Sequence, residues 1–150
     1  MRSDPEGIVE ALLIAYAMGD YEAAAAYYAP DAVFAMYADN EISPFAGEWQ
    51  GREEIISCWQ KIRAAFDILR FEGRNIRSGS DNVVHCQVDY ELLQKPSGLT
   101  LQGIARLELE FRDGLIVRER EYNDVERLRA FMRLCENDAK PIAFVSGKQP

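Results

Sequence analysis

Residues 111–124 read FRDGLIVREREYND, which has the form of a hairpin turn followed by the last strand of a sheet. Arg112-Asp113-Gly114 reads as a three-residue loop, with Gly114 in the left-handed position that closes a type I turn with a bulge. Ile116 and Val117 are good strand formers, yet Arg118, Glu119, Arg120 and Glu121 then put charges on both faces. A strand that feeds a core keeps one face apolar. Either a pair of charges points inward or the far end of this strand has no buried face. The first alternative is the expectation.

The preceding stretch supplies the strands against which this one would pair. In Leu99 to Arg112, residues Leu101, Gly103, Ala105, Leu107, Leu109 and Phe111 alternate with polar residues, so they share one face. In Asn82 to Leu93, residues Val84, Cys86, Val88, Tyr90 and Leu92 do the same. Lys95-Pro96-Ser97-Gly98 is a hairpin loop between the two, and pairing Gln94 with Leu99 makes the apolar faces coincide. His85, Gln87, Asp89 and Glu91 then face the other way. Asp67 to Ile76 is a further strand, interrupted by Gly73. Pairing through the bulged turn sets Leu107 opposite Glu119, Ala105 opposite Glu121 and Gly103 opposite Asn123, with Glu108 meeting Arg118 outside. A two-residue turn would slip the register by one and bring Arg118, Arg120 and Tyr122 inward instead.

Upstream, Ile8, Val9, Leu12, Leu13 and Tyr16 recur at helical spacing, and Gly19 stops the helix. Asp20 is an N-cap for a second helix, Tyr21 to Tyr28, broken by Pro30-Asp31. Ala32 to Tyr37 follows as a short strand. Residues 38–51 read as a long irregular loop carrying Phe45 and Trp49, either a lid over a pocket or a plug in the core. Arg52-Glu53-Glu54 opens a third helix with the apolar stripe Ile55, Cys58, Trp59, Ile62 and Phe66. Asp124 caps a last helix bearing Val125, Leu128, Phe131 and Met132. The expected domain is 1–136, and 137–150 is a tail with the apolar run Pro141 to Val145, packed on the domain or on a partner subunit.

The 150 residues suit one domain with a sizeable core. The net charge of −8 speaks against nucleic acid and against an anionic membrane surface as partners. No apolar segment is long enough to span a bilayer, and no secretory leader precedes the first helix. Cys58, Cys86 and Cys135 sit in apolar-periodic segments, which predicts buried free thiols and a reducing, cytoplasmic setting. A single histidine, His85, and no Cys-x-x-Cys pair predict no metal site, and no phosphate loop or dinucleotide fingerprint predicts no cofactor.

Several short motifs, in order, resemble the nuclear transport factor 2-like superfamily, and within it the SnoaL-like polyketide cyclase and ketosteroid isomerase group. They are Gly19-Asp20-Tyr21, Ala29-Pro30-Asp31-Ala32-Val33, Gly51-Arg52-Glu53, Asp113-Gly114-Leu115-Ile116-Val117 and Tyr122-Asn123-Asp124. The resemblance implies an α+β fold of the cystatin-like roll type, a curved antiparallel sheet wrapped around helices as a cone with an internal pocket. It also implies a homodimer through the sheet. Ketosteroid isomerases exchange protons at positions that the resemblance places on Leu12, Met36 and Leu107, all apolar here. Limonene epoxide hydrolases of the same superfamily hold a water on the first strand, at positions matching Phe34 and Met36. Their last-strand acid matches Glu121, and their remaining site members fall near Val88 and Tyr90.

The expected pocket is lined by Leu12, Tyr16, Met36, Tyr37, Trp59, Phe66, Tyr90, Leu107 and Asn123, with Glu119 and Glu121 as candidate catalytic carboxyls. A carboxyl turned into an apolar hollow loses hydration and titrates nearer neutrality, as a general acid or base requires. The competing reading is a solvated strand end, or ion pairs across a dimer sheet. For Tyr16, Tyr37, Trp59 and Tyr90 it is ordinary core, and for His85 an outward position. Two functions follow: an enzyme acting without a cofactor on a small, mostly apolar molecule, or a module that binds such a ligand or only dimerises.

Overall fold

A computed structural model describes residues 4–38 and 45–139, with side chains through Asn137. The order is α1 (Pro5–Ala17), α2 (Tyr21–Ala25), β1 (Tyr28–Tyr37), β2 (Gly47–Gln50), α3 (Arg52–Ala65), β3 (Phe66–Ser78), β4 (Val83–Gln94), β5 (Thr100–Arg112), β6 (Leu115–Tyr122) and α4 (Val125–Ala139). The six strands form one curved sheet in the order β2-β1-β6-β5-β4-β3. The expected α+β architecture is present, with one qualification: β1 and β6 run parallel, and the remaining neighbours antiparallel. α1 packs on β3 and α2, and α3 packs on β1, β2 and β3.

The helical start follows its capping chemistry. Gly19 takes φ 79 after α1, and the amide of Asp20 reaches back to the Ala15 carbonyl at 2.9 Å. The Asp20 carboxylate accepts from the Ala23 amide at 3.2 Å. α2 ends three residues earlier than its alanines suggest, because Tyr28 is taken into β1 opposite Ile116. Pro30, which has no amide hydrogen, lies where the β1–β6 register is irregular, between Tyr28 and Val33.

The segment after β1 contains a strand that the pattern does not announce. β2 pairs Trp49 with Phe34 and Gly47 with Met36 at the sheet edge. It is short and mostly exposed, so its residues show no apolar alternation. Residues 39–44, the middle of the expected lid, lie outside the described residues, as does the apolar run 141–145 of the tail. α4 continues through residue 137, so the expected tail boundary falls inside a helix.

β3 is continuous through Gly73, which pairs with Val88. The glycine admits α1: a Cβ there would sit 2.7 Å from Leu13 Cδ1. The β4–β5 hairpin closes as expected, with the Gln94 amide bonded to the Leu99 carbonyl at 2.9 Å. All three cysteines are buried and free. Phe66, Leu101, Phe131 and Cys135 form a second core cluster, which fixes α4 over the end of the sheet.

The β5–β6 turn differs from expectation. Asp113 (φ 51) and Gly114 (φ 80) are both left-handed, and Arg112 faces Leu115, so the loop has two residues. The extra residue lies further on. Phe111 faces Ile116, but Glu110 faces Arg118, leaving Val117 as a bulge. That bulge restores the parity that the short turn would have reversed. Glu119 therefore faces Leu109, and Glu121 faces Leu107, each two residues from the partner expected. Outside, Glu108 faces Arg120 rather than Arg118, with 3.9 Å between their charged groups.

Gly103 lies beneath the ring of Tyr90, where an added Cβ would stand 2.6 Å from Tyr90 Cζ. Gly103→Ala is expected to destabilise the fold by about 1–3 kcal/mol through overpacking. Measured in urea unfolding, most of that loss should disappear in a Tyr90→Ala background, where the two sites no longer collide.

Candidate functional site

The concave side of the sheet, covered by α1 and α3, lines a cavity of about 130 Å³ that is partly open to solvent. That is about the size of a void that holds one benzene ring. Its wall is apolar and aromatic, with Leu12 and Tyr16 from α1, Met36 from β1, Trp59 from α3 and Phe66 from β3. Tyr90 and Leu107 come from the central hairpin, and Glu119, Glu121 and Asn123 from β6 and its end. Tyr37 does not join them. Strand alternation turns Met36 inward and Tyr37 outward, where it is 45% exposed and stacks on Tyr122 at 4.9 Å between ring centres. His85 is also on the outer face, 3.8 Å from Glu108.

Glu119 is 5% exposed and stands between Phe34 of β1 and Leu109 of β5. One of its oxygens accepts a hydrogen bond from the Tyr28 hydroxyl. Burial raises its pKa to about 8, against the lowering effect of that bond and with a further rise from Glu121. Glu121 stands between Met36 and Leu107, and its Oε2 accepts from Asn123 Nδ2 at 3.2 Å. Burial raises its pKa as well, with the Asn123 bond opposing. No hydrogen bond within the described residues reaches Glu121 Oε1 or the Tyr16 hydroxyl. Burial, then the nearby Glu121, pushes Tyr90 up to about 12, so its hydroxyl stays protonated.

Tyr28 is the member that sequence reading misses, since the alanine-rich run before it reads as a continuing helix. Its carbonyl is gripped by the guanidinium of Arg52, at 2.9 Å from Nε and 2.6 Å from Nη2. Its ring meets Trp59 edge-on at 5.8 Å, and Trp59 in turn meets Tyr16 at 5.5 Å. The first residue of α3 thus fixes the strand that carries the donor to Glu119. Strand parity was the available signal: counted back by twos from Met36 and Phe34, Tyr28 falls on the same inward face. Phe45 also lines the cavity, and its carbonyl accepts the Trp49 indole N–H at 3.1 Å. Among the described residues no group of His, Cys, Asp and Glu is placed to hold a metal ion. No helix among them is long and apolar enough to cross a membrane.

A family model described as SnoaL-like domain matches residues 9–119. The chain belongs to the SnoaL-like domain family. No curated protein sequence matches it significantly. Solved structures do. TerC, crystallised with polyporic acid, gives a TM-score of 0.75 at 19% identity, over 89% of this chain and 99% of that one. A provisionally named isomerase from Rhodopseudomonas palustris gives 0.70 at 21%, over 84% and 92%. A provisionally named polyketide cyclase from Xanthomonas campestris pv. campestris gives 0.69 at 18%, over 84% and 94%. At these identities the likeness establishes the shared SnoaL-like cone, and the chemistry must come from the residues of the chain itself.

Two outcomes test the electrostatics. Tyr28→Phe removes the hydroxyl donor to a buried carboxyl and is expected to cost about 1–3 kcal/mol in urea unfolding. Glu119 has a folded pKa of about 8 against an ordinary 4.5, so between these values the folded chain holds its proton more tightly than the unfolded chain. The stability from this group is therefore full at acid pH and is lost as pH rises through about 8. The melting temperature of the natural chain should fall relative to Glu119→Gln as pH is raised from about 5 to about 9. Parallel melting curves would contradict the assignment.

Proposed function

We propose that the chain takes up a small, mostly apolar molecule in the cone cavity and moves a proton on it, with Glu121 as the exchanging group. An isomerase, cyclase or hydratase reaction would all use that step. The observation that carries this reading is a carboxyl lining a mostly apolar cavity, with one oxygen that no hydrogen bond among the described residues reaches. Desolvation lifts its pKa toward the range in which a carboxyl both takes and returns a proton efficiently.

The neighbouring acid supports a division of labour. Glu119 lies two residues along the same strand, about 7 Å away. Enclosed more completely and titrating at about 8, it is the member that keeps its proton at neutral pH. The two titrate as a coupled pair, so ionising one holds the other neutral. A ligand between them meets one acid and one base, the arrangement that a proton shift beside a carbonyl or a double bond requires. Glu121 removes the proton, and protonated Glu119 faces the oxygen on which charge develops. The Tyr28 bond holds Glu119 in place for that contact.

A second reading, a ligand-binding module without turnover, is favoured by Leu12, Met36 and Leu107. They line this cavity at the places where the resemblance puts the isomerase proton-transfer groups, and none of them can exchange a proton. Identification by mass spectrometry of a molecule that co-purifies with the chain would supply the candidate substrate. On it, Glu121→Gln is expected to lower turnover about a hundredfold or more while binding persists. An unchanged rate would remove Glu121 from the chemistry, and binding without turnover by the natural chain would establish the module.

A further inference from the structure

The wall of the cavity has two acidic side chains and, among the described residues, no basic one. Three guanidinium groups around it bond backbone carbonyls, Arg127 that of Gln102. Arg52 is bonded to the Tyr28 carbonyl, and Arg63 to the carbonyls of Tyr16 and Ala17 at 3.3 and 3.4 Å. Ionising either carboxyl therefore leaves a buried negative charge beside a wall that, among the described residues, carries no cation. The walls around that charge include Tyr16, Tyr28, Trp59, Phe71 and Tyr90. Aromatic faces attract cations and are indifferent or unfavourable to anions.

We infer that the ligand of this cavity is a compact apolar ring or chain bearing one protonated amine, whose N–H groups donate to the free carboxylate oxygen while its carbon skeleton fills the aromatic wall. The inference rests on the cavity being the ligand site and adds the charge of the occupant. One ammonium, one carboxylate and one carboxylic acid make a neutral set, the state that a low-dielectric enclosure favours. An ammonium also brings only donors to a site whose open positions are acceptors and hydroxyls. A carboxylate ligand would instead add a second negative charge to the same space. A space of about 130 Å³ accommodates one six-membered ring. Burial raises the pKa of both carboxyls, in keeping with a site that waits for a counter-charge.

Calorimetric titration with three matched probes, cyclohexylamine, cyclohexanol and cyclohexanecarboxylate, decides the matter. The natural chain is expected to bind the amine at least tenfold tighter than the alcohol, and the carboxylate not measurably. The net charge of −8 attracts amines to the surface as well. The preference should therefore survive about 0.5 M salt, which screens surface attraction far more than a buried pair. Glu121→Gln is expected to lose most of the amine preference while retaining cyclohexanol, which also shows that the variant is folded. Alcohol binding equal to or tighter than amine binding, measurable carboxylate binding, or a preference abolished by salt would each overturn the inference. In the first two cases the cavity still holds ligands, and the proposed function stands. If none of the three probes binds, both readings fall together.

Discussion

The extra residue at Val117 decides which side of β6 faces the cavity. Without it, the two-residue turn at Asp113-Gly114 would carry Arg118, Arg120 and Tyr122 inward, because side chains alternate strictly along a strand. With it, Arg118 and Arg120 stay outside near Glu48, Glu108 and Glu110, and two carboxyls enter instead. The tight turn and the bulge are separate local features, and each alone would give the wrong face. Only their combination yields an acidic interior beneath an ion-paired exterior.

Holding those carboxyls inside is unfavourable in itself, and the surrounding structure shows how the cost is contained. Glu119 receives the Tyr28 hydroxyl, Tyr28 is wedged against Trp59, and its backbone is held by Arg52 at the start of α3. Among the described residues Glu121 has only Asn123 as a hydrogen-bond partner, on one of its two oxygens. The two acids thus differ in how firmly they are held. A core built for stability alone would fill both positions with aliphatic side chains, so the two acids there cost stability.

Much of this was legible in the residues. The alternation in β4 and β5 fixed their pairing, Gly19-Asp20 and Asp124 marked helix ends, and the order of motifs pointed to the cone. The charges of β6 on both faces were sufficient to suspect inward acids, and ten of the eleven residues expected around the pocket do line it, Tyr37 being the exception. What was not legible has a common physical cause. The identities of the β5–β6 partners, the start of β1 at Tyr28 and the edge strand β2 each depend on where a neighbouring strand lies. Local propensity carries no information on that, and an alanine-rich run next to Tyr28 argues for helix until the parallel partner is known.

The parallel pairing of β1 with β6 joins segments some 90 residues apart, and the Tyr28–Glu119 bond closes that seam. Contacts between such distant segments form late, because the entropy of closing the intervening chain must be met first. During synthesis the β4–β5 hairpin can zip locally as soon as it emerges, whereas β1 must wait with an unsatisfied backbone edge for a partner not yet made. The seam that completes the cone is thus also the point at which a nascent chain is most exposed to strand exchange with its neighbours.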